Sequence, residues 1–186
     1  MATALIVIDV QESFRQRPSW SQVSNPAIVD DTATLVDAAR AGGHRVFWVL
    51  HAEPGSDSVF DPESGFVRLM DGLAVERGEP VLTKTSRNAF TTTNLGQQLT
   101  SVGVSEVVIA GIQTEQCCET TARVAADLGY EVTFVTEATA TFPIVRPDTG
   151  AVLGTDEVIE RTEFALAGRF ARIAGIHDAF APPSTG

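Results

Sequence analysis

Cys117 follows a short apolar run and precedes a predicted helix, a position in which a thiol can act as a nucleophile. Residues 106–110 predict a buried strand, and apolar residues recur at helical spacing from Thr120 to Leu128, ahead of Gly129. A helix start offers unpaired backbone N–H groups and the positive end of the helix dipole. Both stabilise a thiolate, and the same N–H groups can hold an oxyanion. This segment therefore predicts the reacting part of a cysteine hydrolase.

Three further polar residues lie at the ends of other apolar runs. Asp9 lies near the end of the run 4–10, His51 follows 46–50, and Lys84 follows 81–83. In a parallel sheet, ligands bind beyond the carboxyl ends of the strands, so we expect these side chains to meet Cys117. Asp9 would take the thiol proton, and Lys84 would pair with Asp9 and stabilise the thiolate. We expect Lys84 to lie near solvent, so that its replacement harms catalysis more than stability.

Each of these residues also has a purely structural interpretation. An Asp after a strand commonly caps a turn, and a Lys is usually a solvated charge. A free Cys is often a small buried hydrophobe, although the position of Cys117 at a helix start weighs against this. Cys118 points roughly 100° away around a helix and is predicted either to pack in the core or to be liable to oxidation. A disulfide between the two adjacent cysteines would be strained, and we do not expect one.

Strand-like and helix-like patterns alternate along the whole chain. Strands are predicted at 4–10, 46–50, 81–83, 106–110, 131–135 and 171–173, and helices at 26–41, 94–102, from Cys117 to Gly129, and at 156–168. For the helix at 26–41, Asn25 is the predicted N-cap and Gly42 follows the end. Alternation at this spacing is typical of an α/β fold with a parallel sheet.

Two long segments without clear periodicity, 15–25 and 51–78, are predicted to form loops over the site, with a short helix at about 66–70. Loops of such length in a compact domain usually have a function. They would bring aromatic side chains to the mouth of a partly apolar pocket: Phe14, Trp20, Phe60 and Phe66. We expect the substrate to contact Gln11, Phe14, His51 and Phe60.

Composition limits the classes of function. The chain has 186 residues, 44% of them hydrophobic, and we treat 1–186 as one domain with a sizeable core. A net charge of -11 disfavours nucleic acids and anionic membranes as partners. Two cysteines form no disulfide framework, and the amino terminus has no signal-peptide pattern, so we expect a cytoplasmic protein.

A metal or cofactor site has little support in the pattern. A catalytic metal usually needs about three protein ligands. The chain has three His, and His51 has no tightly spaced partner, although Glu53, Asp57 and Asp61 follow it. Gly-rich phosphate loops are not found either. We therefore expect no metal and no cofactor.

Three segments together resemble the isochorismatase-like cysteine hydrolases. The first is the opening strand that ends in Asp9, the second contains Lys84 and Arg87-Asn88-Ala89-Phe90, and the third runs from Gly111 through Cys117 to Ala122. They occur in the family's order and span roughly residues 4 to 142. Each segment is weak evidence alone, and the three together are specific.

The resemblance implies a triad of Asp9, Lys84 and Cys117 in a three-layer α/β/α fold with a central six-stranded parallel sheet, Rossmann-like in form. It also implies a homodimer or homotetramer, a cis peptide bond at Ile112–Gln113, and an oxyanion site at the backbone of Gln113 and Cys117.

The sequence departs from the family pattern at a few positions. Gln113-Thr114 replaces a small apolar residue before Thr, Cys118 replaces Val or Ile, and Glu137-Ala138 replaces Asp-Ala. The nicotinamidase branch has an Asp and two His after the second strand, where this chain has only His51, which argues against a metal and against nicotinamide as substrate.

These observations leave three hypotheses. The first is hydrolysis of a C–N bond in a small amide, ureide or N-carbamoyl compound through a thioester on Cys117. The second is hydrolysis of a vinyl ether such as isochorismate, with Asp9 as acid and no need for a nucleophile. The third is a non-catalytic oligomeric binding or redox module that uses Cys117 and Cys118.

Overall fold

The computed structural model describes residues 2–181, which form a three-layer α/β/α structure. Six parallel strands make the central sheet, in the order β3-β2-β1-β4-β5-β8. These strands are β1 (Ala2–Ile8), β2 (Arg45–His51), β3 (Val81–Lys84), β4 (Val104–Ile112), β5 (Glu131–Ala140) and β8 (Arg172–Ala174). The helices are α1 (Glu12–Arg15), α2 (Ile28–Ala41), α3 (Leu95–Ser101), α4 (Glu119–Asp127) and α5 (Thr155–Leu166). The expected fold class is confirmed.

Strand β1 lies at the centre of the sheet and is covered on both faces. Leu5 and Val7 pack in one core cluster with residues of α2, whereas Ala4, Ile6 and Ile8 pack in a second with residues of α3, α4 and α5. All five side chains have no solvent exposure. Burial on both faces explains why the sequence of this strand is continuously apolar rather than alternating.

Helix α2 shows how an apolar stripe specifies a helix. Ile28, Leu35, Val36 and Ala39 share one buried face, at the spacing of a helix packed against a sheet. The helix begins at Ile28, not at Pro26 as predicted, with Ala27 as its N-cap. The Asn25 side chain accepts a hydrogen bond from the Ala27 backbone N–H, 3.0 Å away, and so shapes the turn that leads into the helix.

The predicted short helix at 66–70 is wrong. Residues Pro62–Ser64 form a 3-10 turn that ends at Gly65, which has a left-handed φ of 76°. The chain then runs extended beside α1, where Leu69 bridges Gln11 and the backbone N–H groups of Glu12 and Ser13 donate to carbonyl groups of this segment. These hydrogen bonds to a distant part of the chain replace those that a local helix would make.

The region after β5 is more ordered than its polar sequence predicts. Strand β5 continues to Ala140, and an antiparallel pair of short strands, β6 (Ile144–Val145) and β7 (Val152–Leu153), follows. Two further 3-10 turns lie at Pro18–Gln22 and Ile176–Asp178. Among residues 2–181, none of the helices combines the length and apolarity needed to span a membrane.

Candidate active site

Asp9 occupies a sharp bend directly after β1. Its φ of 54° is in the left-handed region, and its backbone N–H donates to the carbonyl oxygen of Val49 in β2, 2.8 Å away. On the other side, Ile8 pairs with Gly111 of β4. A Cβ atom on Gly111 would lie 1.9 Å from the Ile8 carbonyl oxygen, so β4 approaches β1 this closely only with glycine there. The two neighbouring strands therefore fix the backbone that carries the Asp9 carboxyl.

Lys84 is the last residue of β3 and the only lysine in the chain. Its side chain has no solvent exposure, which contradicts the expectation that it lies near solvent. Its Nζ lies 2.7 Å from Oδ2 of Asp9, 3.3 Å from Sγ of Cys117 and 3.4 Å from Nδ1 of His51. An ammonium group has three N–H donors, and these three acceptors match that number. The lysine thus joins the ends of three strands and the cysteine.

Cys117 lies in a π-helical turn, Thr114–Cys118, rather than at the first turn of α4. The backbone N–H of Cys118 donates to the carbonyl oxygen of Gln113, and the hydroxyl of Thr121 donates to the carbonyl oxygen of Cys117, 2.6 Å away. Cys117 is 6% exposed, whereas Cys118 is fully buried in the core, as predicted. Both cysteines are free thiols. The peptide bond Ile112–Gln113 is cis, as the resemblance implied.

The electrostatics of Cys117 differ from the expected thiolate. Burial, followed by the negative charge of Asp9, raises the pKa of the Cys117 thiol to about 12, and Lys84 only partly opposes this. Burial also raises the pKa of Asp9, against the lowering effect of the Lys84 charge. Oδ1 of Asp9 is buried and has no hydrogen-bond partner among the described residues. The resting thiol is therefore protonated, and Asp9 has an oxygen free to receive its proton.

His51 ends β2 and lies between Lys84 and Glu53. Since the Lys84 ammonium can only donate, Nδ1 of His51 must accept, and Nε2 then carries the proton toward Oε1 of Glu53, 3.3 Å away. Burial, and then the charge of Lys84, lower the pKa of His51, so the ring is neutral. It supports the lysine and forms part of the wall of the site.

A cavity of about 550 Å³ opens above the triad. Asp9, Cys117, Gln113 and Gln116 line it, as do three of the predicted substrate contacts: Phe14, His51 and Phe60. Trp20 and Phe66 are not among its lining residues. Four further lining residues were not among the predicted substrate contacts: Arg17, Glu53, Arg87 and Phe142. Arg87 stood in the motif that contains Lys84, which was the one available indication of its position.

Gln11 is not brought into the cavity. Its side chain is fully buried; Oε1 accepts from the His51 N–H at 2.7 Å and Nε2 donates to the His51 carbonyl oxygen at 3.0 Å. Both ends of the amide are thereby used to hold the end of β2. The expected substrate contact is corrected to a positioning role for His51.

The described residues, 2–181, contain no group of three or more His, Cys, Asp or Glu side chains that could hold a metal ion. His51 is the one histidine on the cavity, and its Nδ1 faces the Lys84 ammonium, where a cation would be repelled. The side chains present therefore do not fit a metal site at His51.

A sequence model of the isochorismatase domain matches residues 3–152. The chain belongs to the isochorismatase family. Nicotinamidase 3 of Arabidopsis thaliana is 33% identical to this isochorismatase-family chain over 153 residues, covering 75% of it and 73% of the relative. A streptothricin hydrolase of Streptomyces noursei is 36% identical over 145 residues, covering 76% of this chain and 55% of that protein.

The fold of this isochorismatase-family hydrolase is also found in crystal structures. A putative hydrolase of the family from Chromobacterium violaceum has a TM-score of 0.88 at 28% sequence identity, covering 95% of this chain and 91% of that one. An isochorismatase from Pseudomonas putida has a TM-score of 0.85 at 29% identity, with 95% and 89% covered. The motif resemblance to this family is thus confirmed.

Proposed function

We propose that the protein is a cysteine hydrolase that cleaves a C–N bond in a small amide, ureide or N-carbamoyl substrate. One observation carries the proposal: the buried Lys84 ammonium lies within hydrogen-bonding distance of both the Asp9 carboxyl and the Cys117 sulfur, and Asp9 and Cys117 line a cavity. A nucleophile, a base and a cation that holds both are the parts that acyl transfer requires.

The proposed reaction begins with a protonated thiol. As the sulfur attacks the carbonyl carbon, its proton passes to the unpartnered Oδ1 of Asp9, and the S–C bond forms while the carbonyl π bond breaks. Backbone N–H groups at Gln113 and Cys117 are proposed to hold the oxyanion. Lys84 balances the charge that passes between sulfur and carboxylate.

The second half of the reaction releases both products. Asp9 gives its proton to the leaving nitrogen as the C–N bond breaks, which leaves a thioester on Cys117. Water then attacks the thioester, losing a proton to Asp9, and the thiol leaves with a proton restored. The names of the relatives, a nicotinamidase and a streptothricin hydrolase, are consistent with amide substrates.

One observation favours vinyl ether hydrolysis as a second candidate. Burial raises the pKa of Asp9, which is the direction that a general acid needs. In that reaction Asp9 donates a proton to the substrate, and no thioester forms.

Replacement of Cys117 separates the two candidates. Cys117→Ala should lower amide hydrolysis roughly 10³-fold or more, since a nucleophile is lost, but leave vinyl ether hydrolysis largely intact. Amides, N-carbamoyl compounds and isochorismate would be assayed with wild type, Cys117→Ala and the control Cys118→Ala, which removes a thiol from the core instead. Amide turnover that persists in Cys117→Ala would contradict the thioester route.

The remaining expectations are tested by other measurements. If the third hypothesis holds, Asp9→Asn leaves every measurable function intact, whereas the proposed hydrolase loses turnover. A homodimer or homotetramer is proposed from the family resemblance, and light scattering on the eluting protein would measure its mass. A cytoplasmic location stays a prediction.

A further inference from the structure

Two arginines on the cavity have no carboxylate partner. Arg17 and Arg87 both line the cavity that exposes Cys117, and neither forms an ion pair with any of the described residues, 2–181. Six other arginines are in salt bridges: Arg15, Arg40, Arg68, Arg123, Arg146 and Arg161. Among the described residues, Arg45, Arg77, Arg169 and Arg172 also form none, but they do not line this cavity. Arg17 and Arg87 are thus the two arginines without a salt bridge that share the cavity of Cys117, in a chain of net charge -11.

The donors of Arg87 are available to a ligand. Its Nη1 lies 3.5 Å from Nε2 of His51, but that nitrogen carries a proton because Nδ1 accepts from Lys84. Two donors cannot form a hydrogen bond with each other. Arg87 therefore lies beside the His51 ring without donating a hydrogen bond to it. The side chain follows Lys84 by three residues and is exposed to solvent.

Arg17 lies beside the aromatic part of the cavity wall. Its guanidinium carbon lies 6.0 Å from the ring centroid of Phe142, which also lines the cavity. Its backbone N–H donates to the carbonyl oxygen of Phe14, 3.1 Å away, so the turn after α1 is fixed. A guanidinium over an aromatic ring keeps its N–H edges free for hydrogen bonds.

The two acids on the cavity cancel only part of these charges. Asp9 is paired with Lys84. Glu53 directs Oε1 to His51 and accepts a hydrogen bond at Oε2 from the Ser58 hydroxyl. Glu53 thus offsets one of the two arginine charges without forming an ion pair with either arginine, and net positive charge remains for a bound molecule.

We propose that Arg87 and Arg17 form an anion subsite, and that the substrate is a small amide or N-carbamoyl compound that also carries a carboxylate. This inference rests on the proposed function. The planar guanidinium fork matches a carboxylate with two parallel N–H···O bonds. The carboxylate is bound by the arginines while the scissile carbonyl lies at Cys117, and the aromatic side chains contact the carbon chain between them.

Binding tests the subsite without requiring turnover. Succinamate and glutaramate would be titrated by calorimetry into the Cys117→Ser protein, beside their neutral diamides, succinamide and glutaramide. Each pair keeps the primary amide and the chain length but differs in the carboxylate. We expect at least one carboxylate to bind about 10- to 100-fold more tightly than its diamide, the effect of a charge-assisted hydrogen-bonded pair.

Variants then assign the preference. Arg87→Gln should remove most of the preference in binding for the carboxylate over its diamide, and Arg17→Gln should reduce that preference. The control Arg77→Gln should retain it, because Arg77 also has no salt bridge among the described residues and is exposed, but lies outside this cavity. Equal binding of each pair by Cys117→Ser, no binding of either carboxylate, or an equal loss in Arg77→Gln would overturn the subsite.

Turnover of the same compounds by wild type tests the proposed function separately. A preference in binding without hydrolysis of any amide would contradict the hydrolase and leave the subsite standing. Hydrolysis of the carboxylate-bearing amides and of their neutral diamides at equal efficiency would support the hydrolase and contradict the subsite.

Discussion

The Nζ atom of Lys84 lies 2.7 Å from Oδ2 of Asp9, and neither side chain has any solvent exposure. Each of these two buried charges stabilises the other, because either charge would be costly to bury alone. The same lysine contacts Cys117 and His51, so the charge balance of the whole site depends on it.

Replacement of Lys84 should therefore damage the fold as well as the reaction. Lys84→Met leaves the Asp9 carboxyl buried without a cation, and breaking a buried pair typically costs about 3–5 kcal/mol. We expect urea unfolding to show a loss of this order in the free energy of unfolding, together with loss of turnover.

A second variant checks the cause of this loss. In Lys84→Met with Asp9→Asn, no uncompensated charge remains, so part of the stability should return while turnover stays lost. Lys84→Arg should not restore activity, since a planar fork does not reproduce three donors on one nitrogen. Wild-type stability in Lys84→Met would show that the pair contributes nothing to the free energy of unfolding.

The reactivity of Cys117 should depend on Asp9 in the direction that their charges dictate. Since the negative charge of Asp9 raises the pKa of the thiol, Asp9→Asn should lower that pKa and speed alkylation at a given pH, although turnover is lost. In wild type, alkylation should keep rising to high pH because the pKa of Cys117 is about 12.

Iodoacetamide labelling with mass mapping across a pH series would measure this. Cys117, which lines the cavity, should be modified before Cys118, which is fully buried. Slower alkylation in Asp9→Asn would contradict the predicted charge effect of Asp9 on the thiol pKa, and preferential modification of Cys118 would contradict the assignment of the nucleophile.

The titration of His51 should make the free energy of unfolding depend on pH in the mildly acidic range. Its pKa is lowered in the fold from the ordinary value of 6.5 by burial and by Lys84, so the unfolded chain binds the proton more readily. The stability that the neutral His51 ring contributes is fully present above about pH 6.5, and it is lost as pH falls through the lowered pKa of the folded state. The free energy of unfolding should decrease on acidification from pH 7.5 to about pH 5.

The comparison with His51→Gln isolates this contribution, because all other groups titrate in both proteins. The stability difference between wild type and His51→Gln should shift in favour of the variant as pH falls. Parallel pH profiles would mean that His51 titrates equally in the folded and unfolded chains.

Gly111 should tolerate no side chain. Its φ is 132°, and an added Cβ would lie 1.9 Å from the Ile8 carbonyl oxygen. Gly111→Ala combines a strained backbone with an overpacked strand pair, each worth about 1–3 kcal/mol. Thermal unfolding should show a large destabilisation, and surviving protein should have lost turnover because the Asp9 bend has moved.

Gly96→Ala provides the matched control. Gly96 lies in α3, and a Cβ atom there would meet only Cδ1 of Phe90 at 3.7 Å, an ordinary contact. Alanine in a helix is favoured over glycine by about 0.5–1 kcal/mol, so this variant should be neutral or slightly more stable. Similar melting temperatures for both variants would contradict the close approach at Gly111.

Local pattern in the sequence was enough to predict the strands, their parallel arrangement and the meeting of Asp9, Lys84 and Cys117. The reason is geometric: strands buried on both faces are continuously apolar, and the carboxyl ends of parallel strands share one edge of the sheet. A polar residue directly after such a run therefore has a predictable place, even when its partner is 75 residues away, as Asp9 is from Lys84.

The tertiary structure alone decided the electrostatics and the division of roles. Burial is a property of the whole fold, so complete enclosure of Lys84 and the raised pKa of Cys117 could not be predicted from strand ends. Pairing between distant segments likewise assigned Gln11 to the His51 backbone rather than to the substrate. Arg17 and Arg87 came to one cavity because loops after two different elements converge there, and loops carry no periodicity from which their path can be predicted.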